Sequence, residues 1–201
     1  LATSLPNDST LVIGNSMIIR DIDSFFPATS RRIRMVGTRG ASGIDGVIST
    51  AAGAAAAGDG PVIALLGDLS FLHDLGGLWP LHRYDLSLLI VLINNDGGGI
   101  FHFLPQYELA SEQFEDWFGT PHGIDLEGAI STFGGQLIRP EHNEWASTIH
   151  NNIGRPGLTV IELRTSREHN VELHHEIWNY VDTKLSTLEF DGEDTSNGFT
   201  H

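Results

Sequence analysis

The 201-residue sequence predicts a three-layer α/β sandwich, in which a mainly parallel sheet is flanked by helices. Three observations lead there. Short apolar runs alternate with helical patterns along the whole chain. Two of those runs, residues 61–66 and 87–93, are apolar almost without a break, as strands buried on both faces of a parallel sheet are. Each run ends in residues that suit a carboxyl edge, Gly67-Asp68 after the first and Asn94-Asn95 after the second.

The elements follow in order. Residues 11–13 read as a first strand closed by Gly14-Asn15-Ser16, with Ser16 as N-cap of a helix over residues 17–26 and Pro27 at its end. Residues 33–36 form a second strand. A glycine-rich turn (40–46) leads into an alanine-rich helix (45–57), stopped by Gly58 and Gly60. A third strand (61–66), a helix (70–83) and a fourth strand (87–93) come next. Residues 96–123 read as irregular apart from a short helix at 111–118, and a loop of that length usually covers or builds a site. A helix over 125–133 has Asp125 as its cap, and residues 136–138 form a short strand. A helix over 141–152 carries Glu141 where the helix dipole favours it. Strand 158–163 and helix 171–188 complete one domain, residues 1–188. Residues 189–201 form a polar, acidic tail with little structure expected.

Composition narrows the function classes. The net charge of −15 argues against nucleic-acid binding. No apolar run is long enough to span a bilayer, so no integral membrane segment is expected, and no secretion signal is visible. Without cysteine there is neither a disulfide framework nor thiol chemistry, which is compatible with a cytoplasmic setting. The chain begins at Leu1 rather than Met, which fits an excised domain or a processed chain.

The chemistry lies in a split motif. Gly67-Asp68-Leu69-Ser70 and Asn94-Asn95 are separated so that residues 69–93 span 25 positions. Parallel strands would bring Asp68 and Asn95 to one edge. A carboxylate and a carboxamide oxygen there suit Mg2+, which is held by one or two protein groups plus substrate phosphates. Asp68 alone reads equally well as a helix N-cap. Gly67 would let the backbone approach a phosphate closely. Arg20 and Arg39 fall at element ends on the same edge, where a guanidinium fork suits a carboxylate substrate; the plain alternative is a surface salt bridge. By periodicity alone Ile44 is a core residue at a helix start.

Other chemistries fit less well. His174 and His175 are adjacent and would diverge by about 100° on a helix, and no zinc-ligand spacing accompanies them. Ser42 lacks the nucleophile-elbow spacing. Gly40, Gly43 and Gly46 do not follow the dinucleotide-binding order. The sequon at Asn7 has no secretion signal to give it meaning.

The split motif resembles the diphosphate-binding signature of thiamine-diphosphate enzymes. Residues 14–20 (GNSMIIR), 38–46 (TRGASGIDG) and 94–101 (NNDGGGIF) are similar to segments of one family within them, the 2-succinyl-5-enolpyruvyl-6-hydroxy-3-cyclohexene-1-carboxylate (SEPHCHC) synthases. The likeness runs from about Leu11 to about Leu163 and covers only the C-terminal third of such an enzyme. The resemblance implies a thiamine-diphosphate-binding fold, with thiamine diphosphate and Mg2+ (or Mn2+) as cofactors. Asp68 and Asn95 side chains with the Gly97 carbonyl would hold the metal. Ser42, Ile44, Gly67, Leu69, Ser70 and Ile100 would join them around the cofactor, with Ile44 propping its bent conformation. Ser16, Arg20, Arg39, Ile100, Phe101 and Leu104 would meet the substrates.

The implied reaction decarboxylates 2-oxoglutarate and adds the resulting carbanion to isochorismate, on the route to menaquinone or phylloquinone. The glutamate that activates the cofactor sits in an N-terminal domain of such enzymes, usually on the neighbouring subunit, and no residue here matches it. The isolated chain is therefore expected to be inactive, with the N-terminal domains and a homodimer or homotetramer as its partners. Two alternatives stand beside this one. One is a domain of another thiamine-diphosphate 2-oxo acid decarboxylase or acetolactate-type synthase, and the other a non-catalytic cofactor-binding module.

Overall fold

A computed structural model of the chain describes residues 1–109 and 111–187, so the proposed tail lies outside the described residues. The elements are β1 (Ser9–Ile13), α1 (Met17–Phe25), β2 (Ile33–Gly37), α2 (Val47–Ala57), β3 (Val62–Gly67), α3 (Asp68–His73), α4 (Leu78–Arg83) and β4 (Leu88–Asn94). They continue with α5 (Gln106–Leu109), α6 (Ser111–Phe114), α7 (Glu127–Thr132), β5 (Gln136–Ile138), α8 (Trp145–Asn152), β6 (Leu158–Arg164) and α9 (Arg167–Ser186). The six strands form one sheet in the order β2-β1-β3-β4-β6-β5, and every pairing is parallel.

Strand parity builds the three layers. Val62, Ala64 and Leu66 of β3, with Leu88, Ile90 and Leu92 of β4, face one side and pack with Val47 and Ile48 of α2, Phe71 of α3, Leu78 of α4 and Ile130 of α7. Ile63, Leu65, Leu89 and Val91 face the other, against Ile18 of α1 and Ile149 of α8. Both faces of β3 and β4 are thus covered, which is why their sequences are apolar without alternation. Burying each such leucine or isoleucine contributes about 1.5–3 kcal/mol.

The strand order reverses between β1 and β3, because β1 continues to β2 on one side while β3 leads to β4 on the other. Loops leaving neighbouring strands in opposite directions open a crevice at their carboxyl ends. Gly14-Asn15-Ser16 leaves β1 there, and Gly67-Asp68 leaves β3.

Several boundaries differ from those the sequence predicts. The helix over 70–83 starts at Asp68 and is broken by a 3-10 turn at Leu75–Gly77. The break frees Asp74 to reach α2, where its carboxylate accepts from the Ser49 N–H (2.7 Å) and hydroxyl (2.9 Å) and so caps α2 from outside. α2 itself begins at Val47, after Gly46 in a left-handed conformation. The helix read at 111–118 is α6 followed by a π turn at Glu115–Gly119. The helix at 141–152 opens as a 3-10 turn before α8, and that at 125–133 shortens to α7. α9 starts four residues early, at Arg167 instead of 171, because Ser166 caps it by accepting the His169 N–H (3.2 Å). Ser16 stands at the N-cap of α1, yet its side chain makes no cap bond; its φ of 66° and ψ of −134° turn the carbonyl toward Arg20 instead. Among the described residues no helix is long and apolar enough to cross a membrane.

Candidate functional site

A cavity of about 500 Å³ opens at the crevice between the carboxyl ends of β1 and β3. It gathers Ser16, Arg20, Arg39, Ser42, Ile44, Gly67, Asp68, Leu69, Ser70, Asn95, Gly97, Ile100 and Phe101. Leu104 is the exception. It follows the 3-10 turn Gly99–Phe103 in extended backbone, is 41% exposed and does not line the cavity. That turn spends its register on Ile100 and Phe101, which carries Leu104 past the opening.

Asp68 is 2% exposed. Its Oδ1 accepts the Leu69 N–H (2.7 Å), and its Oδ2 accepts the N–H groups of Asn95 (3.1 Å) and Gly97 (3.0 Å). The two halves of the split motif are therefore joined by this carboxylate. Among the described residues no lysine or arginine pairs with it. The ring of His122 approaches Oδ2 at 3.4 Å. Because His122 Nδ1 accepts the Ile124 N–H (3.0 Å), Nε2 is the nitrogen that carries the proton toward Asp68.

Asn95 Oδ1 is buried and has no hydrogen-bond partner among the described residues. Such an acceptor is rare and costs free energy unless something else satisfies it. Gly97 (φ +138°) permits the turn that follows, and a Cβ there would collide with the Gly119 carbonyl. Gly99 leaves room for Asn95, since a Cβ at that position would lie 2.6 Å from Asn95 Nδ2. The glycine run thus lets residues 115–119 fold down over the turn, with the Gly98 N–H donating to the Gly119 carbonyl (2.7 Å). A buried carboxylate that meets one histidine but no lysine or arginine among the described residues, beside an unsatisfied amide oxygen on the same cavity, is a donor set that suits a small hard cation completed by phosphate oxygens.

Neighbouring strand ends brace this centre. Asn94, the other member of the pair, points away from it: its Nδ2 donates to the buried Glu162 (2.6 Å), and its Oδ1 accepts the Asp96 N–H (3.0 Å). Arg139 donates to the same carboxylate (2.5 Å). Burial alone would raise the Glu162 carboxyl, but the bonds from Arg139 and Asn94 outweigh it and hold the group below its ordinary range. Ser70 donates to the Ile44 carbonyl (2.5 Å), which ties the apolar Ile44 to the Gly67-Asp68 turn. Ile44 is a half-buried cavity residue rather than part of either core cluster.

Arg20 donates to the Ser16 carbonyl and Arg39 to Asn15 Oδ1, each at 2.7 Å. Neither forms an ion pair among the described residues, unlike Arg32, Arg139 and Arg167. In a chain with 26 acidic residues, two cavity arginines held only by neutral acceptors keep their charge available.

Sequence reasoning missed Asn15, Asp21, His122 and Asn170. Asn15, Asp21 and Asn170 line the cavity. Asp21 meets His174 Nε2 at 3.1 Å, and the pair links α1 to α9. Burial raises the Asp21 carboxyl above its ordinary range, against the opposing pull of His174. Only the motif GNSMIIR hinted at Asn15; His122 and Asn170 lie in stretches whose local pattern carries no signal.

Residues 23–163 match the family described as Thiamine pyrophosphate enzyme, C-terminal TPP binding domain, and the chain belongs to that family. Within it, the chain is 46% identical over 175 residues to the SEPHCHC synthase of Bacillus cytotoxicus, covering 87% of this chain and 30% of that protein. Against the SEPHCHC synthase of Bacillus pumilus it is 48% identical over 180 residues (88% and 30%), and against that of Geobacillus kaustophilus 45% over 188 residues (92% and 32%). The chain thus spans about a third of the length of these relatives. The fold is shared with a thiamine diphosphate-dependent 4-hydroxybenzoylformate decarboxylase of Rhodococcus jostii RHA1 (TM-score 0.64, 22% identity, 82% of this chain and 31% of that one). It is also shared with a benzoylformate decarboxylase of Polynucleobacter necessarius (TM-score 0.59, 17% identity, 83% and 32%).

Proposed function

We propose that this chain, over residues 1–188, is the diphosphate- and metal-binding domain of a cytoplasmic SEPHCHC synthase. The complete enzyme would decarboxylate 2-oxoglutarate and join the remaining four-carbon unit to isochorismate. The observation that carries the reading is the buried Asp68 carboxylate, which no lysine or arginine pairs among the described residues, beside the unsatisfied Asn95 oxygen. The names of the relatives supply the choice of reaction.

Asp68, Asn95 and the Gly97 carbonyl would hold Mg2+ or Mn2+ against the diphosphate of thiamine diphosphate. Gly67, Leu69 and Ser70 would border that diphosphate, with Ser42 and Ile44 further along the cofactor. When bound, thiamine diphosphate would supply the carbanion chemistry of 2-oxo acid decarboxylation and carbon–carbon joining. Ile44, Ile100 and Phe101 would form an apolar wall that keeps water from the reacting carbon. Ser16, Arg20 and Arg39 would take substrate carboxylates, for which the two free guanidinium charges are suited. The remaining two thirds of the enzyme would bring the activating glutamate and complete the site, in a homodimer or homotetramer.

The test is an assay with both substrates, thiamine diphosphate and Mg2+, following the product by mass spectrometry. The complete enzyme should form SEPHCHC, and the 201-residue chain should not. Robust turnover by the chain alone, or none by the complete enzyme, would contradict the reading.

A further inference from the structure

Asn15 stands where β1 ends, is 3% exposed, and binds three residues of the segment 38–43 through one amide. Its Nδ2 donates to the Thr38 carbonyl (3.2 Å), the Thr38 hydroxyl (3.1 Å) and the Gly43 carbonyl. Its Oδ1 accepts from Arg39 (2.7 Å), the one hydrogen bond of that guanidinium among the described residues. The carbonyls require a donor and the guanidinium requires an acceptor, and an amide supplies both. A carboxylate at this position would fail the carbonyls and cancel the Arg39 charge. A shorter side chain would leave a long arginine free to sample solvent.

We infer that Asn15 is a positioning residue for Arg39: it holds the guanidinium at the cavity mouth while leaving its charge unpaired for a substrate carboxylate. This rests on the substrate reading proposed above. Only an Nη1 hydrogen is used, so the Nε–Nη2 edge stays free for a two-point contact with a carboxylate. Anchoring one rotamer-rich side chain before binding removes an ordering cost that corresponds to about a 2- to 10-fold change in affinity. Asn15 also fixes Thr38 and Gly43, the two ends of the segment that carries Arg39, so both the backbone and the tip of that arginine depend on one buried amide.

A double-mutant cycle in the complete enzyme tests this. Asn15→Ala, Arg39→Ala and the double variant are compared by kcat, by KM for each substrate, and by thermal midpoint. Arg39→Ala should raise KM for one carboxylate substrate by roughly ten- to several-hundred-fold. Asn15→Ala should raise the same KM about 2- to 10-fold, but change it less than about twofold once Arg39 is already alanine. Asn15→Ser, which keeps one small donor, is the companion variant should the alanine form fail to fold. Equal effects of Asn15 in both backgrounds would overturn the positioning role while leaving the substrate reading intact. Unchanged KM values in Arg39→Ala alone would remove both. Failure of both Asn15 variants to fold would assign the residue to the fold and overturn the proposal.

Discussion

Replacing Asn95 by leucine should make the cation-free chain more stable while destroying its proposed cation site. Asn95 Oδ1 is buried without a partner, and an unsatisfied buried acceptor costs about 1–3 kcal/mol. Leucine keeps the branched shape of asparagine, with bulkier methyl groups in place of the amide atoms, and removes that cost. Part of the gain is offset, since the half-buried residue also loses the hydration of its Nδ2, so a net increase of about 1 kcal/mol is expected. For a chain of this size that raises the thermal midpoint by roughly 2–4 °C. Urea unfolding with EDTA present, followed by fluorescence of the four tryptophans, measures it. The same substitution in the complete enzyme should remove the stabilisation by Mg2+ and thiamine diphosphate, which is about 2.7 kcal/mol in the unsubstituted enzyme at a ligand concentration 100 times Kd. A variant that is less stable than the parent in EDTA, yet still stabilised by Mg2+ and cofactor, would refute the reasoning.

Two further outcomes are expected. Gly97→Ala forces a Cβ into the Gly119 carbonyl at a φ of +138°, so it should cost about 1–3 kcal/mol in urea unfolding and weaken cofactor binding, whereas Gly53→Ala on α2, with open space at the Cβ, should cost nothing. Glu162 should make stability fall in acid: its folded carboxyl lies below the ordinary value of 4.5, so its contribution is present above that pH and is lost as the pH drops through the folded value. Urea midpoints from about pH 7 to about pH 3 should fall less steeply in Glu162→Gln, and an identical slope would contradict the assignment.

The strands were legible because burial on both faces leaves no freedom for polar residues, so residues 61–66 and 87–93 announced themselves. Asp68 and Asn95 followed from those strands, since parallel neighbours must deliver their ends to one edge. Long-range partners were not legible. The break at Leu75–Gly77 goes with a contact of Asp74 to Ser49 across the sequence, and the early start of α9 depends on Ser166, which among polar neighbours reads as loop. Asn94 and Asn95 look equivalent in the sequence and are not. Glu162, 68 residues away, claims the first, and the second keeps its oxygen free for the cavity. Leu104, grouped with Ile100 and Phe101 by the resemblance, stands apart from them because the 3-10 turn ends at Phe103. Asn15 and His122 act through contacts 24 and 54 residues distant, which no local pattern encodes.

In the proposed function, Asp68 anchors a cation through which the diphosphate is held. Calorimetric titration of thiamine diphosphate into the complete enzyme, with Mg2+ and with EDTA, tests it most directly when repeated on Asp68→Ala. Saturable binding that requires Mg2+ is expected in the parent and no binding in Asp68→Ala, with both proteins folded by circular dichroism. Binding of unchanged affinity in Asp68→Ala, or binding in the parent that ignores EDTA, would contradict it.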